Sequence, residues 1–106
     1  MKIIISESKV SKLISEYIEM TYGKLEQIYE EGSDGYLWIR EGEILDEVHP
    51  LFSMSSSETL FIPYSFSITI GDLFGFEDKR EVDKAIADCW RYMFGLNPER
   101  VNIYFD

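Results

Sequence analysis

The stretch Leu60-Phe61-Ile62-Pro63-Tyr64-Ser65-Phe66-Ser67-Ile68-Thr69-Ile70 decides how the rest of this chain is read. Leu60, Ile62, Tyr64, Phe66, Ile68 and Ile70 share one parity, and Thr59, Pro63, Ser65, Ser67 and Thr69 fill the other. Only Phe61 breaks the alternation. Side chains alternate faces along an extended chain, so the pattern predicts a β-strand with one apolar and one hydroxyl-rich face. Proline cannot donate to a ladder and belongs at an edge, a bulge or a break. Pro63 therefore predicts two collinear pieces, 59–62 and 64–70, with a kink between them; two shorter strands turning at Pro63 are the rival.

Working outward, each flank predicts a helix. Val10, Leu13, Ile14, Tyr17, Ile18 and Tyr22 recur at three- and four-residue spacing, which gives a first helix from Glu7 to Tyr22. Ser6 stands at its N-cap, and Gly23 can take the left-handed conformation that closes it. Before it, residues 2–5 are a short β-branched run, either a first strand or an apolar lead-in. Beyond the central stretch, residues 71–76 read as a glycine- and aromatic-rich connection. Asp78, with Glu81 three residues later, makes a capping-box pattern. Val82, Ala85, Ile86, Cys89, Trp90, Met93 and Phe94 then form a wide apolar stripe ended by Gly95. Trp90 is expected between this second helix and the 60–70 strand. Val101, Ile103 and Phe105 alternate as a final strand, and a helix joining two strands of one sheet implies a right-handed parallel crossover.

Between the first helix and the central stretch lies a predicted meander. Residues 25–31 form a strand with Leu25, Gln27 and Tyr29 on one face, and 32–35 turn the chain. Tyr36-Leu37-Trp38-Ile39 is apolar on both parities, as in a central strand covered on both sides. Glu41-Gly42-Glu43 turns again, 44–48 is a third strand, and 49–57, with four serines, is a loop. The fold class is α+β: one domain with a mainly antiparallel, four- to six-stranded sheet and two helices packed on one face.

The opening Met1-Lys2-Ile3-Ile4-Ile5-Ser6-Glu7-Ser8, running into the first helix, resembles the openings of many small uncharacterised phage proteins. The resemblance covers about twenty residues, implies a viral origin and carries no functional residues with it.

Twenty acids against ten bases give a formal charge of −10. Such a chain repels nucleic-acid phosphates and anionic membranes, and attracts basic protein surfaces. The charge is not evenly spread. Glu26, Glu30, Glu31, Asp34, Glu41, Glu43, Asp46 and Glu47 fall between residues 26 and 47 with Arg40 as the one base there. Tyr29, Tyr36 and Trp38 interleave with these acids, and aromatics of this kind anchor interfaces. The candidate partner-binding residues are Glu26, Glu30, Glu31, Asp34, Tyr36, Glu41, Glu43, Asp46 and Glu47. A solvated face tuned for solubility is the plainer reading of the same acids.

No catalytic, metal or cofactor residues are expected. Cys89 lies on the apolar stripe, where a cysteine is buried and inert, and His49 precedes a proline in a loop. Asp46 and Glu47 fall on opposite strand faces, and no cysteine or histidine pair supports zinc. The 71–75 loop lacks a phosphate-binding lysine, and Asp72 and Asp78 would repel an anion. A lone cysteine fits a reducing compartment, and no apolar run reaches the ~20 residues of a membrane span, so a cytoplasmic protein is expected. The sequence thus points to a non-enzymatic module whose acidic meander contacts a basic protein. An inhibitor of a nucleic-acid-handling host enzyme is one such module, and a structural or assembly subunit is the alternative.

Overall fold

The structure, a computed structural model, describes residues 7–106. The predicted 2–5 run and the Ser6 cap lie outside the described residues. The chain runs α1 (Glu7–Tyr22), β1 (Leu25–Glu30), β2 (Gly35–Arg40), a 3-10 turn (Leu45–Glu47), β3 (Phe52–Met54), β4 (Thr59–Pro63), α2 (Tyr64–Phe74), α3 (Lys79–Phe94) and β5 (Arg100–Tyr104). The five strands lie side by side in sequence order. The first four pair antiparallel, and β5 pairs parallel to β4. The fold is α+β with a mostly antiparallel sheet, and the parallel return strand is where the sequence placed it.

The central stretch departs from its reading. Residues 59–63 are strand, but 64–74 are a helix, so among the described residues three helices rather than two accompany the sheet. The cause is visible in the side chains. Phe66 and Ile70 are fully buried and Phe74 packs against the same core, which is a four-residue spacing. Tyr64, Ile68 and Leu73 are left in water. Ser67 and Gly71 are the small residues of the inner face, and a Cβ on Gly71 would meet the Val82 side chain of α3 at 3.4 Å. Every second member of an alternating series also falls at i, i+4, so Phe66 and Ile70 satisfy both periods. Asp72 then breaks the alternation while Phe74 continues the helical stripe. Pro63, at φ −64° and ψ 143°, holds the extended conformation that precedes a first helical turn.

Pro63 has no side chain to cap α2. That task falls to Asp106, whose carboxylate accepts from the Ser65 backbone N–H at 3.2 Å and from the Ser65 hydroxyl. A residue forty-one positions away thus closes the helix end. The same two hydrogen bonds hold the Asp106 carboxyl below its ordinary value. α3 follows the sequence more simply. The Asp78 side chain accepts from the Arg80 N–H at 2.8 Å, and Gly95, at φ 71°, ends the helix.

Two further expectations are corrected. Residues 44–48 are not a strand, because the Glu47 N–H donates to the Ile44 carbonyl at 2.9 Å and tightens the segment into a 3-10 turn. The third strand lies instead in the stretch expected to be loop. Phe52 and Met54 stand opposite Trp38 and Tyr36, so apolar cross-strand pairing fixes β3 there.

Register sorts the sheet into two faces. Leu25, Gln27 and Tyr29 of β1, Tyr36 and Trp38 of β2, Phe52 and Met54, Leu60 and Ile62, and Val101 and Ile103 share the face that meets the helices. Trp90 is fully buried in the same core as Leu60, Ile62, Phe66 and Ile70, and its ring also lies 4.8 Å from Phe52 and 5.6 Å from Trp38. Both indole N–H groups are buried without a hydrogen-bond acceptor among the described residues. Their rings meet edge to face at 89°, an arrangement that offers an N–H an aromatic face in partial compensation. On the opposite sheet face Ile39 is only 1% exposed, so β2 is covered on both sides as a central strand should be.

Candidate interaction surface

The expected acidic residues divide into two groups. β1 and β2 form a six-residue hairpin, so its ends are about 17 Å apart at ~3.3 Å per residue. Glu30, Glu31 and Asp34 gather at the turn that joins the strands. Glu41 and Glu43 lie at the far end, with Asp46 and Glu47 in the 3-10 turn beyond. Glu26 sits on β1 opposite Ile39. All of these are exposed except Glu43, which is half-buried.

The two ends differ electrostatically. At the far end Lys24 lies 3.6 Å from Glu41 and Arg40 lies 3.7 Å from Glu43, so both carboxylates are partly neutralised. Arg40 also donates to the Tyr22 carbonyl at 2.6 Å, which ties the end of α1 to the hairpin. At the turn the carboxylates make no ion pair among the described residues. Neutral donors hold two of them instead: the Tyr29 hydroxyl donates to Asp34 at 2.7 Å and the Ser33 hydroxyl to Glu30 at 2.6 Å. The Asp34 contact raises the Tyr29 phenol above its ordinary value, because it favours the protonated form. Asp34, at φ 55°, takes a left-handed conformation that aspartate tolerates better than most residues. The turn thereby gathers three exposed carboxylates, two of them held by neutral donors and none by an ion pair among the described residues.

Of the three aromatics, only Tyr29 is offered to solvent. It is 52% exposed and packs edge-on against Tyr36 at 5.5 Å. Tyr36 is half-buried and Trp38 is fully buried in the core. Tyr29 is therefore the aromatic available beside the acidic turn, although Tyr36 was the one singled out.

Cys89 is fully buried, its thiol donating to the Ser11 carbonyl at 3.5 Å where α1 and α3 meet. Burial pushes that thiol up to about 12, so it is protonated at neutral pH. His49 is exposed in the connection between β2 and β3. Among the described residues, no three histidine, cysteine, aspartate or glutamate side chains converge where they could hold a metal ion, and no helix is long and apolar enough to cross a membrane. In the comparisons with known proteins, no family model, no curated protein and no solved structure matches this chain.

Proposed function

We propose that this chain is a non-enzymatic binding module whose β1–β2 hairpin turn engages a positively charged protein surface. The observation that carries the reading is the turn without ion pairs among the described residues: Glu30, Glu31 and Asp34 are exposed, Glu30 and Asp34 are held by neutral donors, and the exposed ring of Tyr29 flanks them. Carboxylates held in place suffer less loss of freedom on binding than free ones, and complementary charge speeds encounter and sets specificity. A basic protein that handles nucleic acid is the partner class such a turn suits, with carboxylates standing where phosphates would bind. In a phage-like setting that partner is a host enzyme and the module its inhibitor, acting in the host cytoplasm. The non-catalytic part of the reading is supported by Cys89, which is buried and protonated.

One observation favours a structural or assembly subunit instead. Tyr64, Ile68 and Phe105 are exposed, and the Tyr64 and Phe105 rings lie 5.3 Å apart on the side of the fold opposite β1. Affinity capture from host lysate at low and high salt separates the two readings. Basic proteins released by salt support the binding module, and salt-resistant capture of virion or assembly proteins supports the subunit.

A further inference from the structure

We propose that copies of this chain add edge to edge, with β1 of one copy pairing antiparallel to β5 of the next. The inference goes beyond the partner reading and does not depend on it. Among the described residues β1 and β5 are the two outer strands, so each leaves one side of its backbone without a ladder there. Counting directions across the sheet, β1 and β3 run one way and β2, β4 and β5 the other. A second copy displaced by translation alone therefore presents its β1 antiparallel to β5 of the first, the orientation that pairs most readily.

Charge selects this pairing over its rivals. The β1 edge carries Glu26 and Glu30 and no base. β5 opens with Arg100, which is exposed and makes no ion pair among the described residues. Arg100 also lines a groove of about 570 Å³ between α3 and β5, with Arg80, Lys84 and Arg91 beside it and Asp83, Asp88 and Glu99 interspersed. In a protein of charge −10 this is the edge least hostile to an anion. Joining β1 to β1 brings carboxylates together, which is unfavourable across a ladder.

The side chains fit one register. With Glu30 set opposite Arg100, Ile28 falls opposite Asn102 and Glu26 opposite Tyr104, all on the sheet face away from the helices. On the helix face Tyr29 meets Val101 and Gln27 meets Ile103. Phe105, 83% exposed one residue past β5, reaches the half-buried Leu25. Both strands keep their apolar parity on the correct side, as extension of one sheet requires. The contact is heterologous, so it propagates rather than stopping at a dimer.

Sedimentation velocity at low salt on wild type, Glu30→Arg, Arg100→Glu and an equimolar mixture of the two variants tests this, with far-UV circular dichroism confirming the fold of each. Glu30→Arg sets arginine against Arg100 and Arg100→Glu sets glutamate against Glu30, so each variant pairs with itself less well than with the other. Wild type is expected to gain mass steadily with concentration, and each variant alone to associate about threefold to thirtyfold more weakly. The mixture is expected to recover. Wild type that stays monomeric at millimolar concentration overturns the proposal, as does a variant that associates normally or a mixture that fails to recover. Should one variant fail to fold, Glu26→Arg replaces Glu30→Arg and Arg100→Ala replaces Arg100→Glu, each expected to weaken association by a smaller factor. An unchanged association constant in those substitutes is equally contrary.

Discussion

Phe66→Ala and Ile68→Ala form a pair that separates a helix from a strand at residues 64–74. In a strand the two side chains share a face and their losses are similar. In α2 they lie on different faces: Phe66 is fully buried and Ile68 is 46% exposed. The Phe66 ring lies 5.2 Å from Phe52 and 6.1 Å from both Tyr17 and Tyr22, so it joins α2 to α1 and β3. Truncating it removes a buried aromatic and leaves a cavity bounded by rings that cannot collapse freely, at a cost of ~3–5 kcal/mol. Ile68 gives up only the buried half of its transfer free energy and leaves no enclosed hole, which comes to about 0.5–1 kcal/mol. Urea denaturation followed by far-UV circular dichroism and tryptophan fluorescence measures both. Equal costs, or a larger cost at Ile68, refute the helix and restore the strand.

Gly35→Ala is expected to destabilise by about 1–3 kcal/mol in the same assay, since a Cβ there would stand 2.5 Å from the Met54 carbonyl oxygen and force β2 away from β3. Cys89 should resist thiol reagents in the native protein and react fully once unfolded, and rapid native labelling would mean that the α1–α3 contact opens readily. Asp106→Ala should destabilise the protein at neutral pH by uncapping α2. Because the folded carboxyl lies below its ordinary value of 3.8, its contribution is present above that value and disappears as pH falls through the folded one. The difference between wild type and Asp106→Ala should therefore vanish in acid, and a difference independent of pH would place the effect elsewhere.

Much of the fold could be read from spacing because α1 and α3 each carry one period and ordinary punctuation. The bounds expected for α1 are those observed, and Asp78 and Gly95 do cap α3. α2 was hidden because Phe66 and Ile70 fit two periods at once, and its cap comes from the far end of the chain. No local signal reveals Asp106 as a helix cap. β3 was obscured for a similar reason: three residues amid serines have little pattern of their own, and the strand exists because Trp38 and Tyr36 stand ready to pair with it. At the candidate surface, sequence located the acids but not their neutralisation. Lys24 and Arg40 sit near the turn residues in sequence, yet the hairpin carries them to the opposite end, and only the register shows which carboxylates remain unpaired.

The acidic turn is tested most directly by the association rate of a captured basic partner with two charge-reversed variants. One carries lysine at Glu30, Glu31 and Asp34, and the other at Glu16, Glu19 and Glu99, which are exposed acids outside the turn. Electrostatic attraction acts mainly on encounter, so the turn variant should associate more slowly and lose most of its salt dependence while circular dichroism is unchanged. The control should keep most of the wild-type rate. Equal slowing in both would mean that only bulk charge attracts the partner, and no slowing in the turn variant would contradict the account outright.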